Sequence, residues 1–117
     1  MSLKIRLESE TVSAKLAGVH ERIVEEVGKE IDVVGADIED MAKTLVPVRT
    51  GYLKSTIYHR VEGMNLEVGA EADYAVYVEC GTSRMRAQPY LRPAVDANQE
   101  KLRDAVKVGV LNALEKG

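Results

Sequence analysis

The sequence predicts an α+β fold, with a long N-terminal helix and a C-terminal helix packed on a small antiparallel β-sheet. Three observations predict it. Apolar residues recur at steps of three or four from Val12 to Leu45. Two β-prone segments, 55–61 and 66–70, flank the turn signal Glu62-Gly63-Met64-Asn65. A second helical stripe runs through Val95, Leu102, Val106, Val110 and Ala113. A chain of 117 residues makes one domain, residues 1–117, able to bury about 65% of its unfolded surface. Its core must be largely aliphatic, because it contains no Trp and no Phe.

Taken in order, Leu3-Lys4-Ile5-Arg6-Leu7 alternates apolar and charged residues and reads as a short strand with one buried face. Ser9 or Thr11 can cap the helix that follows. Val12, Leu16, Val19, Ile23, Val27, Ile31, Val34, Ile38, Met41 and Leu45 keep one face of it apolar. Gly18, Gly28 and Gly35 interrupt the stripe at about 1 kcal/mol each, and a bend at Gly28 or Gly35 is an option. Pro47 ends the helix, since the residue before a proline avoids helical geometry. About 34 residues at ~1.5 Å each give ~50 Å, whereas a compact domain of this size has a radius of gyration of ~13 Å. The helix therefore overshoots its domain unless it bends or another chain covers its end.

Beyond the Thr50-Gly51 turn, residues 55–61 and 66–70 are expected to form a hairpin. Asp73 can cap a short helix over 74–79 that Gly81 terminates. Residues 84–88 are an optional edge strand. Pro93 suits the first turn of the closing helix, which runs to about Leu114.

The composition, 45% hydrophobic and 30% charged, is that of a soluble globular domain. No apolar run approaches the roughly 18 residues of a membrane span, and no signal sequence is expected at the N-terminus. The single cysteine forms no internal disulfide, which fits a reducing cytoplasm. A net charge of −3 argues against a general nucleic-acid binder. The charge is uneven: residues 8–45 carry ten acidic and four basic side chains, a local −6, while 82–94 carry Arg84, Arg86 and Arg92 with no acid. This is either a solvated helix face plus a basic loop, or a pair of complementary surfaces on neighbouring copies.

The unusual residues cluster between Pro47 and Ala94. They read Pro47-Val48-Arg49-Thr50-Gly51-Tyr52-Leu53-Lys54-Ser55-Thr56-Ile57, then Tyr74-Ala75-Val76-Tyr77-Val78-Glu79-Cys80-Gly81-Thr82, then Pro89-Tyr90-Leu91-Arg92-Pro93-Ala94. This order resembles the gene-10-type tail-completion proteins, the head–tail joining or neck components of long-tailed bacteriophages and prophages. Their pattern is Pro-x-x-Thr-Gly-x-Leu-x-x-Ser/Thr-Ile, then Tyr-Ala-x-Tyr-Val-Glu-x-Gly-Thr, closing on an aromatic and x-x-Pro-Ala. The chain departs from it at Cys80, where a bulky aromatic is usual, and at Tyr90, where phenylalanine is common. The resemblance implies a virion structural protein that works by ring assembly and docking, without catalysis. It implies as partners other copies of the chain, further neck and tail-tube proteins, and non-specific contact with DNA in the channel. It implies host cytoplasm during assembly and the virion tail or neck thereafter, with no membrane, cofactor, metal or small-molecule substrate.

The residues themselves offer little chemistry. Cys80 with His20 or His59 would be a nucleophile and base only if the fold brought them together; otherwise Cys80 is a half-buried small hydrophobe. One Cys and two His lack any paired metal-ligand spacing. Tyr74 and Tyr77 are either core rings or interface anchors, with the core favoured because large rings are scarce. Glu79, if buried, needs a partner, and the Arg84–Arg92 loop is nearest in sequence. Candidate interaction residues are Arg84, Arg86, Arg92, Glu79, Tyr77 and Thr50, the last with a capping role beside Gly51. A small cytoplasmic regulatory or protein-binding module, and a Cys80-dependent hydrolase, are the alternative functions.

Overall fold

The computed structural model describes residues 1–6, 17–47 and 51–116. The elements are β1 (Ser2–Arg6), α1 (Ala17–Leu45), α2 (Gly51–Thr56), β2 (Ile57–Glu62), β3 (Asn65–Ala70), α3 (Ala75–Cys80), α4 (Leu91–Ala97) and α5 (Gln99–Lys116). The expected α+β architecture is present: a three-stranded antiparallel sheet in the order β1-β3-β2, with helices at the N- and C-terminal sides of the chain. Val12, Leu16 and the caps proposed at Ser9 and Thr11 lie outside the described residues.

Helix α1 follows its predicted periodicity through its middle, while Val19 and Met41 are only partly buried and Leu45, at the end of the stripe, is exposed. Ile23, Val27, Ile31, Val34 and Ile38 are all buried, each side chain contributing about 1.5–3 kcal/mol of hydrophobic stabilisation. The helix ends where Pro47 requires, and Val46 donates the last turn's bond to the Ala42 carbonyl at 3.0 Å. It runs unbroken through Gly28 and Gly35. Those glycines are there for contact, because a Cβ at Gly28 would stand 2.8 Å from the Gly63 carbonyl oxygen. One at Gly35 would meet Leu66 at 2.7 Å and His59 at 2.8 Å. The helix thus lies directly on the hairpin.

The hairpin register pairs Ile57 with Ala70 and Glu62 with Asn65, leaving Gly63-Met64 as a two-residue loop with positive φ at Gly63. β1 pairs with the other edge of β3, from Ser2↔Gly69 to Arg6↔Asn65. Its apolar positions Leu3 and Ile5 are only half-buried. Helix α5 runs antiparallel to α1: Lys101 reaches Asp37 at 3.5 Å, and Gly109 meets the backbone of Val27. The molecule measures 54 × 21 × 21 Å with a radius of gyration of 16.5 Å, longer than the ~13 Å of a compact chain this size. Its 29-residue helix, about 44 Å at ~1.5 Å per residue, sets that length.

Four expectations need correction. Residues 55 and 56 are not strand but the end of α2, because Ser55 and Thr56 turn their hydroxyls back to the carbonyls of Tyr52 (2.6 Å) and Leu53 (2.8 Å). Asp73 does not cap α3; Tyr74 occupies the cap position without a side-chain bond. Residues 84–88 form no strand. The closing helix is two helices, broken at Asn98, whose buried amide donates to the Ala94 carbonyl at 2.8 Å.

Candidate functional site

The described residues of the three sequence clusters converge on one end of the molecule. Thr56 at the end of α2 accepts from the backbone N–H of Ala72 at 3.2 Å, and Glu71 donates to its carbonyl at 3.4 Å. That fixes the approach to α3. Helix α3 turns Ala75, Val78 and Glu79 inward and leaves Tyr74, Val76, Tyr77 and Cys80 exposed. The expectation that Tyr74 and Tyr77 fill the core is therefore corrected. The buried ring is Tyr90, fully enclosed, with its hydroxyl donating to the Ala75 carbonyl at 3.1 Å. Burial, reinforced by the Glu79 charge, pushes its phenol up to about 12.

Glu79 organises this end. Its Oε1 accepts from the backbone N–H groups of Tyr90 (3.0 Å) and Leu91 (2.9 Å), and its Oε2 from that of Arg92 (3.1 Å). A buried carboxylate eleven residues upstream thus caps α4, where no local side chain does. An arginine partner for Glu79 is corrected accordingly: it binds the Arg92 backbone, not a guanidinium.

The intervening segment is folded rather than loose. Gly81, at φ +77°, lies so close to Met85 and Ala87 that a Cβ would stand 2.7 Å from the Ala87 nitrogen. Thr82 accepts from Arg84 (3.2 Å) and Met85 (3.0 Å) through Oγ1. Gln88 donates to the Val78 carbonyl at 2.8 Å. This strap holds out Arg84 and Arg86, with Arg92 beside it on α4. All three are exposed, and none forms an ion pair among the described residues. The result is a set of exposed arginines on a hydrogen-bonded support. Thr50 lies outside the described residues.

Cys80 is exposed, not half-buried, and no hydrogen bond joins it to either histidine. His59 is committed elsewhere. Its Nδ1 meets Glu39 and its Nε2 meets Asp32, each at 2.9 Å, tying β2 to α1. Lys43 donates to Glu39 at 2.9 Å. Burial pulls the imidazole pKa down, but hydrogen bonds and charge from Glu39 and Asp32 outweigh it, so the net direction is up. For Glu39, burial raises and the bonds from Lys43 and His59 lower, with a net fall. Sequence reading missed this cluster, although the signal was there: carboxylates seven residues apart on α1 share a face, and a lone histidine stands in the facing strand.

The family described as "Bacteriophage HK97-gp10, putative tail-component" matches residues 10–81. No curated protein and no solved structure matches the chain. The family match spans more than half of the sequence and ends on the turn after Glu79, so the chain belongs to this HK97-gp10-like family of phage tail components.

Proposed function

We propose that this HK97-gp10-like chain completes the tail tube of a long-tailed phage or prophage and joins it to the head, acting as one subunit of a ring. The observation that carries the reading is that Arg84, Arg86 and Arg92 are exposed and without ion pairs among the described residues, with Tyr74 and Tyr77 exposed as well. A folded strap that spends a buried carboxylate, a left-handed glycine and a threonine turn on holding arginines outward suits a docking surface. Those arginines meet acidic surfaces of a neighbouring copy or of neck and tail-tube proteins, and phosphates where DNA passes. No catalytic residue is assigned. The protein acts in the host cytoplasm during assembly and in the virion afterwards.

The test is complementation in an inducible prophage. Deletion of the gene should leave filled heads and separate tails, or tails with abnormal ends. Charge reversal at Arg84 and Arg86 should reproduce the defect with the melting temperature unchanged. Normal infectious particles from the deletion strain would overturn the reading.

A further inference from the structure

The C-terminal half of helix α5 carries apolar residues on two opposite faces, and α1 covers only one. Leu102, Ala105 and Ala113 are buried, with Val106 and Val110 partly so. On the other side Val108, Leu111 and Leu114 are 43%, 59% and 48% exposed. At about 100° per residue, Leu111 points almost directly away from the centre of the inner face. These three residues form a short apolar stripe on an otherwise charged outer side, and no described residue of the same chain covers it.

The charges beside the stripe indicate what covers it. Lys107 and Glu115 stand four residues either side of Leu111, and Val108 and Leu114 three residues either side. Both charged side chains are exposed, and neither forms an ion pair among the described residues. If two such helices lie antiparallel and cross at Leu111, that residue meets its own symmetry mate. Lys107 then comes level with the partner's Glu115, and Val108 level with the partner's Leu114. Two-fold symmetry produces each match twice. A parallel two-fold pairing would instead set Lys107 against its own copy.

We propose that the outer face of α5 is the contact surface for a second copy of this chain, paired antiparallel about Leu111. The contact is small, so the dimer is weak and concentration-dependent. It leaves the arginine end free and does not rest on the tail-joining role, so either can fail alone.

Sedimentation equilibrium of the full chain across a concentration series tests it. The parent should associate to a dimer, and Leu111→Asp should be monomeric with an unchanged melting temperature, since the side chain is exposed. Lys107→Glu and Glu115→Lys should each weaken association about tenfold, because each converts two attractions into repulsions. The two changes combined should restore it. In a Cys80→Ser background, Leu111→Cys should cross-link copies on oxidation. A parent that stays monomeric to about 1 mM would overturn the proposal, as would a charge swap that fails to restore association. Loss of association in Tyr77→Asp but not in Leu111→Asp would overturn it in favour of a head-to-tail contact at the arginine end.

Discussion

Replacing Glu79 with alanine should be among the most damaging changes available to this chain. The carboxylate accepts three backbone N–H groups, from Tyr90, Leu91 and Arg92. Tyr90 and Leu91 are fully buried, so water cannot replace the lost acceptor there, whereas Arg92 is exposed and its amide can turn to solvent. Two orphaned buried donors at about 1–3 kcal/mol each, together with the lost interaction of a negative charge with the first turn of α4, give roughly 4 kcal/mol. Against a total stability of about 5–15 kcal/mol, that is a large share. It corresponds to a fall in melting temperature of about 10–20 °C for a domain of this size. Glu79→Gln keeps the shape and one acceptor oxygen and should fall about halfway. Thermal and urea denaturation measure both variants, and hydrogen exchange should accelerate most at the Tyr90 and Leu91 amides. If Glu79→Ala melts within about 2 °C of the parent, the carboxylate does not hold α4 and the support for the arginine strap is misassigned.

Three further outcomes are expected. The His59 imidazolium donates to Asp32 and Glu39, and its raised pKa means its stabilising contribution is complete below the unfolded value of 6.5 and fades as pH rises through the folded value. Glu39, with a lowered pKa, contributes above 4.5 and loses its contribution as pH falls through its folded value. The stability difference between the parent and His59→Gln should therefore peak between pH 4.5 and 6.5 and shrink above it; a difference independent of pH would show that the bridge is uncharged. Ile31→Asp, and likewise Ile23→Asp, places a charge where the parent side chain is fully enclosed and should cost at least about 3 kcal/mol. Chemical denaturation that matches the parent would contradict the burial of α1. Arg84→Ser with Arg86→Ser should leave the midpoint within about 0.5 kcal/mol of the parent, and a larger loss would make these arginines internal partners.

What could be read from the sequence was whatever repeats or stands in a run. Helix α1 supplies eight consecutive turns of the same signal, and the hairpin is framed by Gly63-Met64, so both were legible. Single-turn elements were not. In α3 one turn decides which residues face inward, and Ala75, Val78 and Glu79 win over Tyr74 and Tyr77. The ring buried against α3 is instead Tyr90, the cap residue of α4, whose hydroxyl donates to the Ala75 carbonyl. In α2 the β-forming character of Thr56 was real but was outweighed by its hydroxyl bonding back to Leu53. The partner of Glu79 could not be read at all by matching charges, because its donors are backbone amides. A helix start offers such donors whatever residues it is made of.

The same distinction changes how the charge asymmetry works. Eight of the acidic residues between 8 and 45 lie on α1, and five of them are in ion pairs inside the chain. Lys29 takes Glu25 and Glu26, His59 takes Asp32, Lys101 takes Asp37, and Lys43 with His59 takes Glu39. Each exposed pair adds little stability, about 0–1 kcal/mol, yet each reduces the negative field that α1 presents to a neighbour. Glu21, Glu30 and Asp40 form no ion pair among the described residues. Lys29 and Lys43 already stand in the count of −6, so only Lys101 and the protonated His59 reduce it further, while Arg84, Arg86 and Arg92 keep their full charge. Exposed charge pairs are each worth so little that opposite charge alone does not hold two copies together. Where copies of this chain meet one another, apolar side chains such as Leu111 must supply most of the contact energy, with charge setting only its register.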